Sequence, residues 1–292
     1  MTEGRRGHLA MLAFSALVAG SFSLGALAAP LISPQALTLA RFAIAAALVG
    51  AAAVATGMNL RAFVAPWRYL ILGGLLAIYF VLMFIGLQTA DAVPTAAVFT
   101  LTPIMAAGFG WLLLGQITSA RMSLALALGG VGALWVIFRG DLAALVQMDI
   151  GRGEIIYFFG CVAHAVYAPM VRRLNRGESA TVFTFGTLVA GFLWLLVWGG
   201  PAATRTDWTA LPAIVWICLA YVAVAASALT FVLIQFATLR LPSAKVMAYT
   251  YLVPTWVILW ELALGHGTPP ATVAVGVALT AVALVLLLKD DG

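Results

Sequence analysis

His164 lies in the run FFGCVAHAVYAPM, and the charged residues nearest to it are Glu154 and Arg172. An imidazole in such surroundings is costly to bury and can titrate near neutral pH, which makes it a candidate for function. It can bind a substrate carboxylate, carry a coupling proton, or sit as a neutral ring bonded to a backbone carbonyl. Tyr79, Thr100, Tyr221, Tyr249 and Tyr251 also lie in apolar runs. Counting inward from the ends of those runs puts each within roughly two helical turns of mid-depth. Phenol rings give apolar area and stacking while hydroxyls orient a polar end, so the group suits a small amphipathic ligand. Each tyrosine taken alone reads equally well as packing.

The elements that must hold these residues are membrane helices. Of 292 residues, 64% are hydrophobic and 9% charged, and the mean hydropathy is +1.10. Only a polytopic membrane protein carries such a composition. Cutting the sequence at charges, prolines and glycine pairs leaves ten apolar segments: 8–28, 34–56, 69–89, 93–114, 119–138, 154–172, 181–199, 211–237, 242–264 and 269–288. The first has the look of a secretion signal, but its 20-residue apolar core favours a retained helix. The fold expected is all-α, with ten transmembrane helices in two inverted five-helix repeats around a central cavity. Residues 1–138 form the first repeat, 139–153 a connecting loop and 154–292 the second repeat.

With the N-terminus inside, Arg5, Arg6, Arg61, Arg68, Arg121, Arg172, Arg173, Arg176, Arg240 and Lys289 fall on the cytoplasmic side. Arg139, Arg152 and Arg205 fall outside. This asymmetry follows the positive-inside bias and puts both termini in the cytoplasm. The net charge of +5 therefore sets orientation and does not point to nucleic acid. Cys161 and Cys218 stand apart from any metal-ligand spacing and read as packing. No serine, histidine or carboxylate motif of a hydrolase or metalloenzyme is present. Neither an enzyme nor a cofactor or metal is expected.

The two halves echo one another. Phe99-Thr100 corresponds to Tyr249-Thr250 at an offset of 150, Gly115 to Gly265 at 150, and Pro103 to Pro254 at 151. Both prolines fall near half depth in the fourth segment of their half. A proline removes a backbone hydrogen bond and bends the helix, and in lipid the freed carbonyl must face protein or a wet cavity. Pro103 and Pro254 are therefore expected to hinge two helices that line a central site, as in inverted-repeat transporters. Arg41, about two turns into the second segment, is expected to snorkel to the interface or to meet a substrate carboxylate. Lys245 and Glu261 lie nearer to helix ends, where headgroups or gate loops are within reach. Ala125, Gly129 and Ala133 on one face of the fifth helix, and Ala274 with Ala278 on the tenth, are expected to allow close helix contact.

On Leu101-Thr102-Pro103 and Leu252-Val253-Pro254, with the endings Leu114-Gly115-Gln116 and Leu264-Gly265-His266, the sequence resembles the EamA-type transporters of the drug/metabolite transporter superfamily. The similarity runs over nearly the whole chain and is greatest to YddG-type exporters of aromatic and other neutral amino acids. It implies a monomeric exporter of small metabolites in the bacterial inner membrane. Gln116 and His266 stand where that family usually has glutamate, so no role for that carboxylate carries over. No carboxylate is expected deep enough for the proton exchange of small multidrug antiporters. Either His164 couples transport to protons or transport is uncoupled. The alternatives are export of amphipathic drugs or other metabolites, and a channel.

Overall fold

The computed structural model describes residues 3–147 and 150–288. Lys289, counted above, lies outside the described residues, as do residues 148–149 of the connecting loop and 289–292 of the second repeat. Every regular element among the described residues is helical. The first half contains α1 (Glu3–Ala28), α2 (Pro34–Ala55), α3 (Trp67–Gly86), α4 (Ala92–Phe99), α5 (Thr102–Leu114) and α6 (Ala120–Ile137), followed by the short α7 (Leu142–Gln147). The second contains α8 (Arg152–Leu174), α9 (Ala180–Arg205), α10 (Ala213–Ala223), α11 (Thr230–Thr238), α12 (Ser243–Ala248), α13 (Val253–Ala263) and α14 (Val273–Leu288). Among the described residues, nine helices or joined pairs are long and apolar enough to span a membrane, and α14 is a shorter apolar tenth. The chain is a ten-helix membrane protein built from two repeats.

Local chemistry sets the helix starts. Ser33, Ser119 and Ser179 each accept a hydrogen bond from the N–H three residues on, which satisfies one orphan donor of the first turn. The last helix opens at Val273, later than the expected 269, because a proline disfavours helical backbone in the residue before it, and Thr268 and Pro269 each precede one.

The fourth span breaks as its proline requires. Pro103 cannot donate to Phe99 O, and the Thr102 hydroxyl does so instead at 2.7 Å. Thr100 N and Leu101 N reach back three residues, to Ala97 O and Val98 O, so α4 and α5 meet at a tightened turn. In the second half a 3₁₀ turn, Tyr249–Leu252, separates α12 from α13, and Pro254 sits in the first turn of α13. Gly115 and Gly265, which end α5 and follow α13, adopt φ of 65° and 77°. This left-handed conformation favours glycine and explains the Leu-Gly pair in both halves.

Contacts follow the duplication. α2 packs on α9 and α6 on α14; α3 lies against α8 as α1 lies against α10 and α11; α5 meets α8 as α13 meets α1; α4 meets α13 as α12 meets α5. The α6–α14 contact is made by Gly132 and Gly276, where a Cβ on either would come within 2.8 Å of the other's carbonyl oxygen. Ala274 and Ala278 are exposed, which corrects the expectation that they give this helix a close contact. The buried stripe of α14 is Val273, Gly276, Thr280, Ala283, Leu284 and Leu287. Gly129 serves a different neighbour, leaving room for the Tyr251 ring.

Candidate functional site

His164 lies 12 residues after Arg152 and 10 before Leu174, ~18 and ~15 Å along the helix axis, at mid-depth. Tyr157 and Tyr167 share its face of α8, being seven residues before it and three after. Its ring centroid is 4.4 Å from that of Tyr79 on α3, 5.2 Å from Phe99 at the end of α4, and 6.1 Å from Tyr167. The Tyr79 and Tyr157 hydroxyls share a hydrogen bond of 3.0 Å, and Phe22 of α1 reaches both Phe99 and Tyr157 at 5.9 Å. Tyr79, Tyr157, Tyr167 and Phe99 are 0% exposed, so in this conformation the rings fill the mid-depth space between the halves. Edge and tilted contacts of this kind lock one another in place. His164 Nδ1 has no hydrogen-bond partner. A buried nitrogen left unpaired costs free energy unless something else binds it.

Beside this stack stands Arg41, and here the structure corrects the snorkelling expectation: its side chain is wholly buried. The reason lies across the interface. Between α10 and α11 the chain makes a π-helical turn, Val224–Leu229, and such a turn displaces carbonyls from the regular ladder. Arg41 Nη2 donates to Ala226 O at 2.5 Å, and Nε donates to Ser227 Oγ. The guanidinium lies 3.6 Å from the Phe80 ring centroid, a favourable cation–π position. Phe80 in turn packs on Tyr79 at 4.4 Å. Nη1 is left without a partner, and among the described residues no carboxylate pairs with the cation. Arg41 is thus a second ionisable group in the interior, beside His164.

Gln235 of α11 closes the far side, donating from Nε2 to Tyr167 Oη at 3.0 Å and to Thr187 Oγ1 at 3.4 Å. Its Oε1 is unpaired. The interior therefore offers a cationic donor at one end, an amide acceptor at the other and aromatic faces between. Such a set can hold a small zwitterion with a ring.

Of the residues singled out in the sequence, Tyr79 and His164 come together here, with Arg41 one ring away. Thr100 is buried beside Phe99, but its hydroxyl is spent on Ala97 O at 2.6 Å. Tyr249 pairs its hydroxyl with His8 Nδ1 at 3.1 Å. Tyr221 donates to Leu17 O at 2.8 Å and packs on Trp260. Tyr251 packs into the α6 contact, its hydroxyl unpaired. These three tyrosines occupy other helix contacts. Pro103 and Pro254 lie just past the two breaks, which touch through Thr102 and Thr250. Sequence reasoning missed Tyr157, Tyr167, Gln235 and Ser227. The spacing of Tyr157, His164 and Tyr167 along one helical face was the available signal.

An opening of about 650 Å³ enters from the face opposite the N-terminus, lined by Ser23, Ala26, Leu87, Asp91, Glu261 and His266 among others. Ser23 Oγ is buried and unpaired, and its neighbour Phe22 belongs to the ring stack. Arg139 bonds Asp91 at 3.1 Å and His266 bonds Glu261 at 2.8 Å around this mouth. On the N-terminal face Arg240 holds Glu3 at 2.6 Å and Arg68 holds Glu178 at 2.7 Å. Burial alone would raise the Glu178 pKa, but the Arg68 hydrogen bond and charge and the Arg176 N–H outweigh it and hold the carboxyl below its usual value. Gln116, at the end of α5, accepts from Ser243 N at the start of α12 at 3.3 Å. Among the described residues no three His, Cys, Asp or Glu side chains gather to hold a metal ion.

Comparison with known proteins agrees with this architecture. A crystal structure of a protein 20% identical to this one superposes with a TM-score of 0.75, covering 98% of this chain and 97% of the other. An uncharacterized transporter of Bacillus subtilis, YyaM, is 25% identical over 262 residues, which is 88% of this chain and 86% of YyaM. Residues 5–138 and 151–289 both match the EamA-like transporter family, so the chain, matched in each of its halves, belongs to that family of multi-pass membrane transporters.

Proposed function

We propose that this transporter exports small metabolites, foremost aromatic and other neutral amino acids, across the bacterial inner membrane as a monomer. Residues 1–138 and 154–292 act as oppositely inserted repeats, with both termini in the cytoplasm. The substrate sits at mid-depth, its carboxylate on Arg41, its ring against Tyr79, Phe99 and His164. The observation that carries this reading is the unpaired Arg41 Nη1 beside a stack of buried rings. A buried cation with an open donor favours an anionic or zwitterionic guest and disfavours cationic drugs. Because the rings close on one another, a guest enters only when they part, which supports alternating access around the breaks at Thr100–Leu101 and Tyr249–Leu252.

The test is transport by purified protein in liposomes loaded with radiolabelled amino acids, with and without a pH gradient. Efflux of phenylalanine, tyrosine or tryptophan, accelerated by unlabelled substrate on the far side, is expected. A flux that trans substrate leaves unchanged would indicate a channel. Amino acids that stay put while other metabolites move would overturn the substrate assignment.

A further inference from the structure

On the N-terminal face, a pocket of about 530 Å³ opens between the α2–α3 and α8–α9 connections. It is lined by Arg61, Arg68, Arg176, Asn59, Glu178 and Ser179 among others. Glu178 is committed to Arg68, whose side chain is 3% exposed and also donates to Leu174 O and Ala62 O. Arg61 and Arg176 are exposed, and neither guanidinium has a side-chain partner among the described residues. The pocket therefore carries two uncompensated positive charges around a pair already neutralised. Ser179 opens α9, and the positive end of that helix adds to the attraction for an anion.

Beside these charges the surface turns apolar. Leu60 is 76% exposed, Val64 80% and Trp67 49%, all on the connection that carries Arg61 and enters α3. Apolar side chains and an indole at the end of a membrane helix belong at the boundary between headgroups and acyl chains. We propose that this pocket binds an anionic phospholipid, with its phosphate between Arg61 and Arg176 and its acyl chains along Leu60, Val64 and Trp67. A basic pocket at a helix junction, with apolar surface next to it, meets both parts of such a lipid. A soluble phosphate would satisfy the arginines and leave the apolar flank uncovered.

The experiment uses full-length protein purified in detergent and supplied in turn with phosphatidylglycerol, phosphatidylcholine or inorganic phosphate, with bound lipid counted by native mass spectrometry. The same series is run on the double variant Arg61→Ala/Arg176→Ala and on Arg205→Ala, which removes a charge from the other face. Wild type and Arg205→Ala are expected to retain phosphatidylglycerol over phosphatidylcholine. The double variant is expected to lose roughly tenfold or more of that retention, and added salt to weaken it. Equal retention of the two lipids by wild type would overturn the proposal, as would undiminished retention by the double variant. Inorganic phosphate displacing the lipid at millimolar concentration would show a soluble-phosphate site and also overturn it.

Discussion

Thr102 and Thr250 place their hydroxyl oxygens 3.2 Å apart, so the interruption in one half touches the interruption in the other. Thr102 already donates to Phe99 O, which leaves Thr250 as the donor between them. The two broken helices thus share one buried polar contact at the level where each loses its regular ladder.

Replacing Thr250 by valine keeps the shape and removes that donor, at a cost of about 0.5–1.5 kcal/mol. Thr250→Val is expected to change turnover by several-fold with little change in substrate affinity, because the contact lies between the moving segments. Proteoliposome kinetics decide this. A variant with normal turnover and altered affinity would place Thr250 in the binding site instead.

Pro254→Ala restores an N–H at the start of α13 and stiffens the junction with the 3₁₀ turn. Turnover is expected to fall more than affinity, measured as initial efflux rate against half-saturating substrate. Unchanged turnover would remove this bend from the transport cycle.

His164→Ala opens a hole between Tyr79 and Phe99 as well as deleting the unpaired nitrogen, so it must be read beside His164→Phe, which keeps a ring. Both are expected to fold with normal yield, and His164→Ala to lower transport at least ~tenfold, as loss of packing and of a polar contact would. If His164→Phe transports normally, the ring matters and the nitrogen does not. Full transport by His164→Ala would exclude the residue from the site.

Arg41→Lys keeps the charge and loses the fork that spans Ala226 O and Ser227 Oγ. Affinity for an amino acid is expected to drop by about tenfold or more, while the matching amine without a carboxylate moves as before. Equal losses for both compounds would assign Arg41 to holding the π-helical turn alone.

The Arg68–Glu178 pair should be visible in stability. Its folded pKa is depressed, so its contribution is present above the unfolded value of about 4.3 and is lost as pH falls through the lower folded value. Glu178→Gln is therefore expected to cost about 1–3 kcal/mol near neutral pH. Thermal unfolding in detergent should show the gap from wild type closing as pH falls below the unfolded value and through the lower folded one. A gap independent of pH would mean that the charge is not what Arg68 holds.

Much of the frame was legible because membrane spans announce themselves. Long apolar runs bounded by arginines, and Leu-Gly endings that need a left-handed turn, can be read without coordinates. The prolines marked the broken spans for the same reason, since a missing N–H has a fixed consequence. Arg41 was not legible: what buries it is the carbonyl of Ala226, freed by a π-turn that no residue in Val224–Leu229 signals. A search by depth does not reach Tyr157, which lies only about a turn and a half into α8, although its hydroxyl reaches that of Tyr79. Tyr221, Tyr249 and Tyr251 pass the depth count, yet depth says nothing about the direction in which a side chain points.

The cross-packing of the halves reaches into how the polypeptide must be made. Gly86 at the end of α3 and Gly153 at the start of α8 press so closely that a Cβ on either would strike the other's carbonyl oxygen. α3 is seated on the second half, and α1 on α10 and α11. Neither half owns a complete interior, so a newly synthesised first half stays unfinished in the lipid until its sibling arrives to receive it.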